Sequence, residues 1–112
     1  VFATPNGSTA YSMSAGGPVM DSGLDAIIMT PICPHSLISR SIVCSGDKIL
    51  TVRAVCSDSE KELGIVVDGE KRMVLQSDDE ISVRRSENYI RFVNITGRGF
   101  YEILNEKMIG RR

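Results

Sequence analysis

The sequence predicts a mainly β fold, in which about six or seven strands form two sheets with peripheral helices. Downstream of residue 23, apolar residues follow the alternation of strands rather than the period of a helix. An Asp-Gly pair separates two apolar runs, which is the turn chemistry of a hairpin. With 112 residues, 42% of them hydrophobic and 24% charged, the chain is expected to fold as a single domain, residues 1–112.

The first elements lie around a glycine-bearing loop. Residues 1–4 are predicted to be the end of a strand. Pro5-Asn6-Gly7 predicts a tight turn, because proline fixes φ while asparagine and glycine tolerate positive φ. A short helix is predicted over residues 10–15, with Ser8 or Thr9 as its N-cap and Gly16-Gly17-Pro18 as its end.

Strand-like segments fill the middle of the chain, and a helix closes it. Strands are predicted over residues 24–30, 42–44, 48–55, 63–67, 72–75, 80–85 and 89–95. Asp68-Gly69 predicts a type I′ turn between two of them. Residues 99–108 predict a helix whose apolar face, formed by Phe100, Ile103, Leu104 and Met108, should pack on an apolar surface.

Composition limits the partners and the compartment. The formal net charge of −1, with both signs mixed along the chain, offers no basic face for nucleic acid. Apolar stretches fall short of the ~20 residues that cross a membrane, so we expect no membrane partner and a cytoplasmic location. The three cysteines are expected to be reduced thiols. The chain starts without Met, directly before the loop, which suggests a piece of a longer protein.

The loop Thr4-Pro5-Asn6-Gly7-Ser8-Thr9-Ala10-Tyr11 combines groups that a nucleotide site needs. It offers glycine for close backbone approach, N–H groups at a helix start, hydroxyls and an aromatic ring. The alternative interpretation is a plain turn, a cap and a core tyrosine. No Gly-Lys-Ser or Gly-Lys-Thr follows a glycine loop, so a P-loop kinase is excluded.

Metal chemistry is not predicted. Cys33 and His35 lack the further ligands of a zinc site. Asp78-Asp79-Glu80 is more simply a solvated turn, because hard cations need more converging oxygens. We therefore predict no metal ligand in this chain.

A long stretch of sequence resembles the C-terminal domain of NAD kinases. The resemblance is carried by residues 3–18 (ATPNGSTAYSMSAGGP), residues 30–37 (TPICPHSL), Arg40, the Asp68-Gly69 turn and residues 97–101 (GRGFY). It covers essentially the whole chain. It implies a two-sheet, β-sandwich-like domain with a short N-terminal helix and a C-terminal helix. It also implies ATP-dependent or polyphosphate-dependent transfer of phosphate to the adenosine ribose 2′-hydroxyl of NAD, giving NADP.

The resemblance also implies which residues bind the dinucleotide. Thr9, Ala10, Tyr11 and Ser14 match the family segment that contacts NAD, with Tyr11 beside the adenine and phosphates. Asn6 stands where the family more often has threonine, and its amide can still form hydrogen bonds. Glu70 ends a turn that often carries glutamine in the family. A carboxylate there cannot donate as an amide does and would repel a nearby phosphate.

The family's catalytic aspartate lies in a Gly-Gly-Asp-Gly-Thr motif of an N-terminal domain that is absent from this sequence. The resemblance therefore implies no catalytic residue here, and we expect no kinase activity from the chain alone. In the longer protein it implies ATP or polyphosphate, Mg²⁺ or another divalent cation, and a homo-oligomer, dimer or tetramer. The alternatives are a non-catalytic dinucleotide-sensing module and a related lipid-kinase-like C-terminal domain.

Overall fold

The computed structural model describes residues 1–36, 39–58 and 62–110. Within these ranges it has seven β-strands, two α-helices and one 3-10 helix, so the predicted mainly β class is confirmed. The strands form one three-stranded and two two-stranded antiparallel sheets. The chain divides into two compact units, Val1–Asp47 with Ser86–Arg112, and Lys48–Arg85.

The first unit is organised around a central apolar strand. Strands β1 (Phe2–Ala3), β2 (Ala26–Met29) and β3 (Ile42–Ser45) lie in that order in one sheet. Strand β2 carries the main core residues, because Ile27 and Ile28 are buried. Branched side chains suit this central position, where each residue packs against neighbours on the pleated surface. The prediction of a strand within residues 24–30 is confirmed.

The segment between β1 and β2 is helical but differs in detail from the prediction. A 3-10 helix spans Asn6–Thr9, and helix α1 spans Tyr11–Ser14. The expected capping by Ser8 or Thr9 is wrong, since α1 starts after Ala10 without a side-chain cap. Ser8 is instead fully buried. Its Oγ donates to the Pro5 carbonyl at 2.6 Å and accepts from the Met20 amide at 3.0 Å.

The second unit contains two antiparallel pairs. Strand β4 (Leu50–Arg53) pairs with β7 (Glu80–Val83), and β5 (Leu63–Val67) pairs with β6 (Glu70–Leu75). Asp68 and Gly69, which join β5 to β6, have φ of 50° and 86°. Positive φ at both central residues is the signature of a type I′ turn, as predicted. The register shifts at Ile65/Val66, which face Met73 and Lys71, so a bulge interrupts the hairpin.

The C-terminal part of the first unit contains one wrong prediction and one confirmed prediction. Residues 89–95 do not form a strand. Ile90, Phe92 and Ile95 are 82%, 78% and 90% exposed, and an extended segment becomes a strand only when it pairs with another. Helix α2 (Phe100–Ile109) is present as expected. Its apolar face is only partly covered, since Met108 remains 53% exposed.

Candidate functional site

The predicted dinucleotide-contacting residues lie together on the surface of the first unit. Thr9, Ala10, Tyr11 and Ser14 are all exposed, and so is Asn6 at the start of the 3-10 helix. Tyr11 exposes 64% of its surface, so its ring is free to stack on a ligand. The alternative of a buried core tyrosine is excluded by this exposure. The structure therefore brings five of the six candidate binding residues onto one short helical segment.

Buried hydroxyl groups hold this segment against the sheet. Ser12, on the inner side of α1, and Thr30, at the end of β2, are each only 1% exposed. Their hydroxyl oxygens are 3.1 Å apart, and Ser41 Oγ donates to Thr30 Oγ1 at 3.1 Å. Strand β1 is tied to the same position, because the Thr30 amide donates to the Val1 carbonyl at 2.7 Å. Helix α1 is thus attached through polar side chains rather than through a large apolar face.

Gly17 lies directly against these hydroxyls. A Cβ atom at this position would lie 2.6 Å from both Ser12 Oγ and Thr30 Oγ1, and 2.8 Å from the Ser12 carbonyl oxygen. The Gly17 amide also donates to that carbonyl at 2.8 Å. Gly16 has φ of +87°, the left-handed conformation in which glycine ends helices. Gly16 therefore ends α1, and Gly17 allows α1 to pack closely against Thr30.

An open cavity of about 740 Å³ begins beside Asn6 and Thr9. This volume falls in the range of small-molecule sites. Its walls also contain Met13, Ser22, residues 92–96, Arg98 and the α2 residues Phe100, Ile103, Leu104, Lys107 and Met108. Lys107 brings positive charge to it, whereas the guanidinium of Arg98 already pairs with Glu106. A largely apolar wall with a lysine cation suits a ligand that combines rings with phosphates.

A second, smaller cavity of about 410 Å³ lies at the other end of α1. Gly16, Thr30 and Arg40 are among the residues that line it. Arg40, one of the residues that carry the family resemblance, is exposed there. Arg40 therefore lies near the C-terminal end of α1, away from the Asn6 end of the segment.

Glu70, the sixth candidate, belongs to the second unit. It is the first residue of β6 and lies beside the Asp68-Gly69 turn. Its side chain is 72% exposed and pairs with Arg72 at 2.9 Å. Exposed ion pairs of this kind contribute little to stability. The carboxylate is therefore on the surface of the hairpin, where a ligand can reach it.

Sequence reasoning did not find the residues that support the site. Ser12 and Thr30 are 18 positions apart, and nothing local in the sequence indicates that their hydroxyls meet. The one available signal is the spacing of Ser8 and Ser12, which places both on the same side of a helical segment. Arg98 and Lys107 were likewise not singled out for ligand binding, because their part of the chain is distant in sequence from the loop.

No helix in the described parts of the chain has the length and apolar character that a membrane span requires.

Comparison with known proteins identifies close relatives. Residues 1–95 match the family model described as ATP-NAD kinase C-terminal domain. The chain is 39% identical over 110 residues to the NAD kinase of Natranaerobius thermophilus, covering 98% of this chain and 38% of the relative. It is 42% identical over 108 residues to the NAD kinase of Methanosarcina acetivorans, covering 96% and 38%. The chain thus spans well under half the length of these relatives.

A solved structure agrees with the sequence matches. The crystal structure of yeast NADH kinase complexed with NADH aligns with a TM-score of 0.64 and 40% sequence identity. The alignment covers 74% of this chain and 23% of the yeast chain. At this identity and score, the two share a fold as well as sequence.

Proposed function

This chain belongs to the ATP-NAD kinase C-terminal domain family, and from that premise we propose that it forms the NAD-binding part of an NAD kinase. The resemblance found in the sequence is thereby confirmed. The proposed parent enzyme transfers the terminal phosphoryl group of ATP or polyphosphate to the 2′-hydroxyl of the adenosine ribose. The ribose oxygen bonds to that phosphorus, the bond to the bridging oxygen breaks, and the hydroxyl proton is lost.

The observation that carries this proposal is a row of exposed side chains on the anchored helical segment, formed by Thr9, Ala10, Tyr11 and Ser14. Tyr11 offers an aromatic face for the adenine and a hydroxyl for a phosphate. Thr9 and Ser14 offer hydroxyls that donate to phosphate or ribose oxygens. Ala10, with its small side chain, lets a ligand approach the backbone. A segment held in place before the ligand arrives loses less conformational entropy on binding.

The cavity beside this row supports the same ligand class. Asn6 and Thr9 form part of its wall, and their polar groups can hydrogen-bond to a ligand that enters it. Lys107 favours phosphate oxygens there through charge, whereas Arg98 already pairs with Glu106. Glu70 is the least favourable of the proposed contacts, because its carboxylate repels phosphate.

Catalysis itself belongs to the remaining length of the protein. The sequence has no Gly-Gly-Asp-Gly-Thr motif, so the base that activates the ribose hydroxyl is supplied from elsewhere. The phosphoryl donor and a divalent cation such as Mg²⁺ are assigned to that part as well. We propose a cytoplasmic enzyme that assembles as a dimer or tetramer. The 112-residue chain alone is expected to bind NAD but not to phosphorylate it.

Calorimetric titration with NAD tests the proposal. The wild-type chain is compared with a Tyr11→Ala, Ser14→Ala double variant and with a control, Tyr89→Ala, Ser57→Ala. The control removes another exposed tyrosine and another exposed serine. We expect the first variant to lose about tenfold or more in affinity, since a buried aromatic anchor is worth more than ~1.4 kcal/mol, and the control to bind normally. Equal binding by all three proteins would show that this segment does not contact the dinucleotide.

Activity in a longer protein separates the kinase from a dinucleotide sensor. A protein that restores the length of the relatives should form NADP from NAD with Mg²⁺ and ATP. A sensor would bind NAD without turnover. A lipid-kinase-like protein would fail to bind NAD at all.

A further inference from the structure

Helix α1 cannot hold its own shape. It spans four residues, Tyr11–Ser14, and so short a helix is unstable in water because the first turn is costly to form. Its stability must come from tertiary contacts. The fully buried residues of the helical segment are Ser8 and Ser12, whereas Met13 is only half-buried. Hydroxyl groups therefore have to supply much of the anchoring.

The Ser12 hydroxyl belongs to a chain of hydrogen bonds that crosses three segments. Ser41, before β3, donates to Thr30 Oγ1, which lies 3.1 Å from Ser12 Oγ. Because the Thr30 oxygen accepts the proton of Ser41, the Thr30 proton is available for Ser12. Each buried hydroxyl is thereby satisfied, and the described residues include no buried side-chain polar atom without a partner. We call Ser12, Thr30 and Ser41 the hydroxyl relay.

The relay fixes which side of α1 faces outward. Successive residues of a helix are rotated by about 100°, so an inward Ser12 turns Tyr11 and Ser14 away from the sheet. Both are exposed. Gly17 closes the same space, with no room for a side chain beside the Ser12 and Thr30 oxygens. The orientation of the ligand-facing side chains is thus determined by buried groups that do not reach the ligand.

We propose that Ser12, Thr30 and Ser41 are positioning residues for dinucleotide binding, acting through the orientation of Tyr11 and Ser14. This inference rests on the proposed function and deepens it. It assigns part of the NAD affinity to residues that never touch NAD. Removal of one relay hydroxyl should loosen α1 locally and weaken NAD binding, while the sheet beneath remains intact.

Thr30→Val and Thr30→Ser form the matched pair that tests this. Valine keeps the shape of threonine but removes the hydroxyl, leaving Ser12 and Ser41 without their partner. Serine keeps the hydroxyl and loses only a methyl group. Thr51→Val makes the same change at an exposed position on β4 and serves as the control. We expect Thr30→Val to weaken NAD binding by about tenfold, a loss typical of a broken buried hydrogen bond. Thr30→Ser should stay within about threefold of wild type, as expected for a small change in packing.

Amide hydrogen exchange supplies a readout that does not depend on NAD. In Thr30→Val, the amides of Ser14, Ala15 and Gly17 should exchange at least about tenfold faster, as local opening of α1 becomes easier. The amides of β2 should change much less. Thr30→Ser should restore slow exchange, which a change in packing alone would not do.

The outcomes are separable. Wild-type NAD affinity in Thr30→Val would overturn the positioning role, and so would an equal loss in Thr30→Ser. Unchanged exchange in α1 would also overturn it. If the wild-type chain fails to bind NAD, the proposed function fails, and the exchange data still decide whether the relay anchors α1.

Discussion

Replacing Gly17 with alanine should destabilise the first unit more than its small size suggests. The new Cβ would lie 2.6 Å from two hydroxyl oxygens and 2.8 Å from a carbonyl oxygen, well inside normal contact. Overpacking of this kind costs about 1–3 kcal/mol. Displacement of the Ser12 or Thr30 hydroxyl adds about 1 kcal/mol for a lost hydrogen bond. We therefore expect the free energy of unfolding to fall by about 2–4 kcal/mol.

Urea denaturation followed by far-ultraviolet circular dichroism measures this change. With a slope of about 2 kcal/mol per molar urea, the midpoint should fall by about 1–2 M. Gly7→Ala is the matched control, because a Cβ there meets its nearest neighbour, Thr4 Oγ1, at an ordinary 3.4 Å. The control should stay within about 0.5 kcal/mol of wild type. If both variants unfold at the same urea concentration, the close packing at Gly17 has no energetic importance.

Three further predictions concern other parts of the chain. Gly69→Ala should destabilise the β5–β6 hairpin by about 1 kcal/mol in urea unfolding, because φ is +86° there and alanine is strained in that conformation. Asp68→Asn should unfold at the wild-type urea concentration, since asparagine tolerates positive φ. Glu70→Gln should strengthen NAD binding about two- to fivefold in calorimetry by removing a repulsive charge. Unchanged affinity would place this side chain away from the phosphates. Phe92→Ser with Ile95→Ser should reduce aggregation in light scattering without lowering the melting temperature, because both side chains are exposed. A drop of several degrees would mean that they are packed.

The predictable parts of this fold are those with a local cause. The Asp68-Gly69 turn follows from two residues that accept positive φ, and it fixes the pairing of β5 with β6. Strand β2 follows from a run of apolar residues that ends before Pro31. The candidate binding row could also be anticipated, because Thr9, Ala10, Tyr11 and Ser14 are close in sequence and a helical segment keeps them close in space.

The unpredicted parts depend on contacts between distant residues. Residues 89–95 have the apolar character of a strand, but pairing requires a neighbour, and the described residues provide none for them. Ser8 has the character of a helix cap, yet its hydroxyl bonds to Pro5 and to the distant Met20. Burial of Ser12 depends on Thr30, which the chain brings back only after forming β2. In each case the tertiary environment decides between structures that the local sequence permits equally.

The bulge in the β5–β6 hairpin shifts the alternation of side chains between the two faces of β6 by one residue. Residues paired across a hairpin share a face. Leu75, Met73 and Glu70 pair with Leu63, Ile65 and Val67, so all six lie on one side. Simple alternation from Leu75 would put Glu70 on the opposite side. A relative lacking one residue between the turn and Met73 would alternate without a bulge and would still place its residue beside the turn on this same side. The bulge therefore accommodates one extra residue in β6 without changing the face on which residue 70 lies.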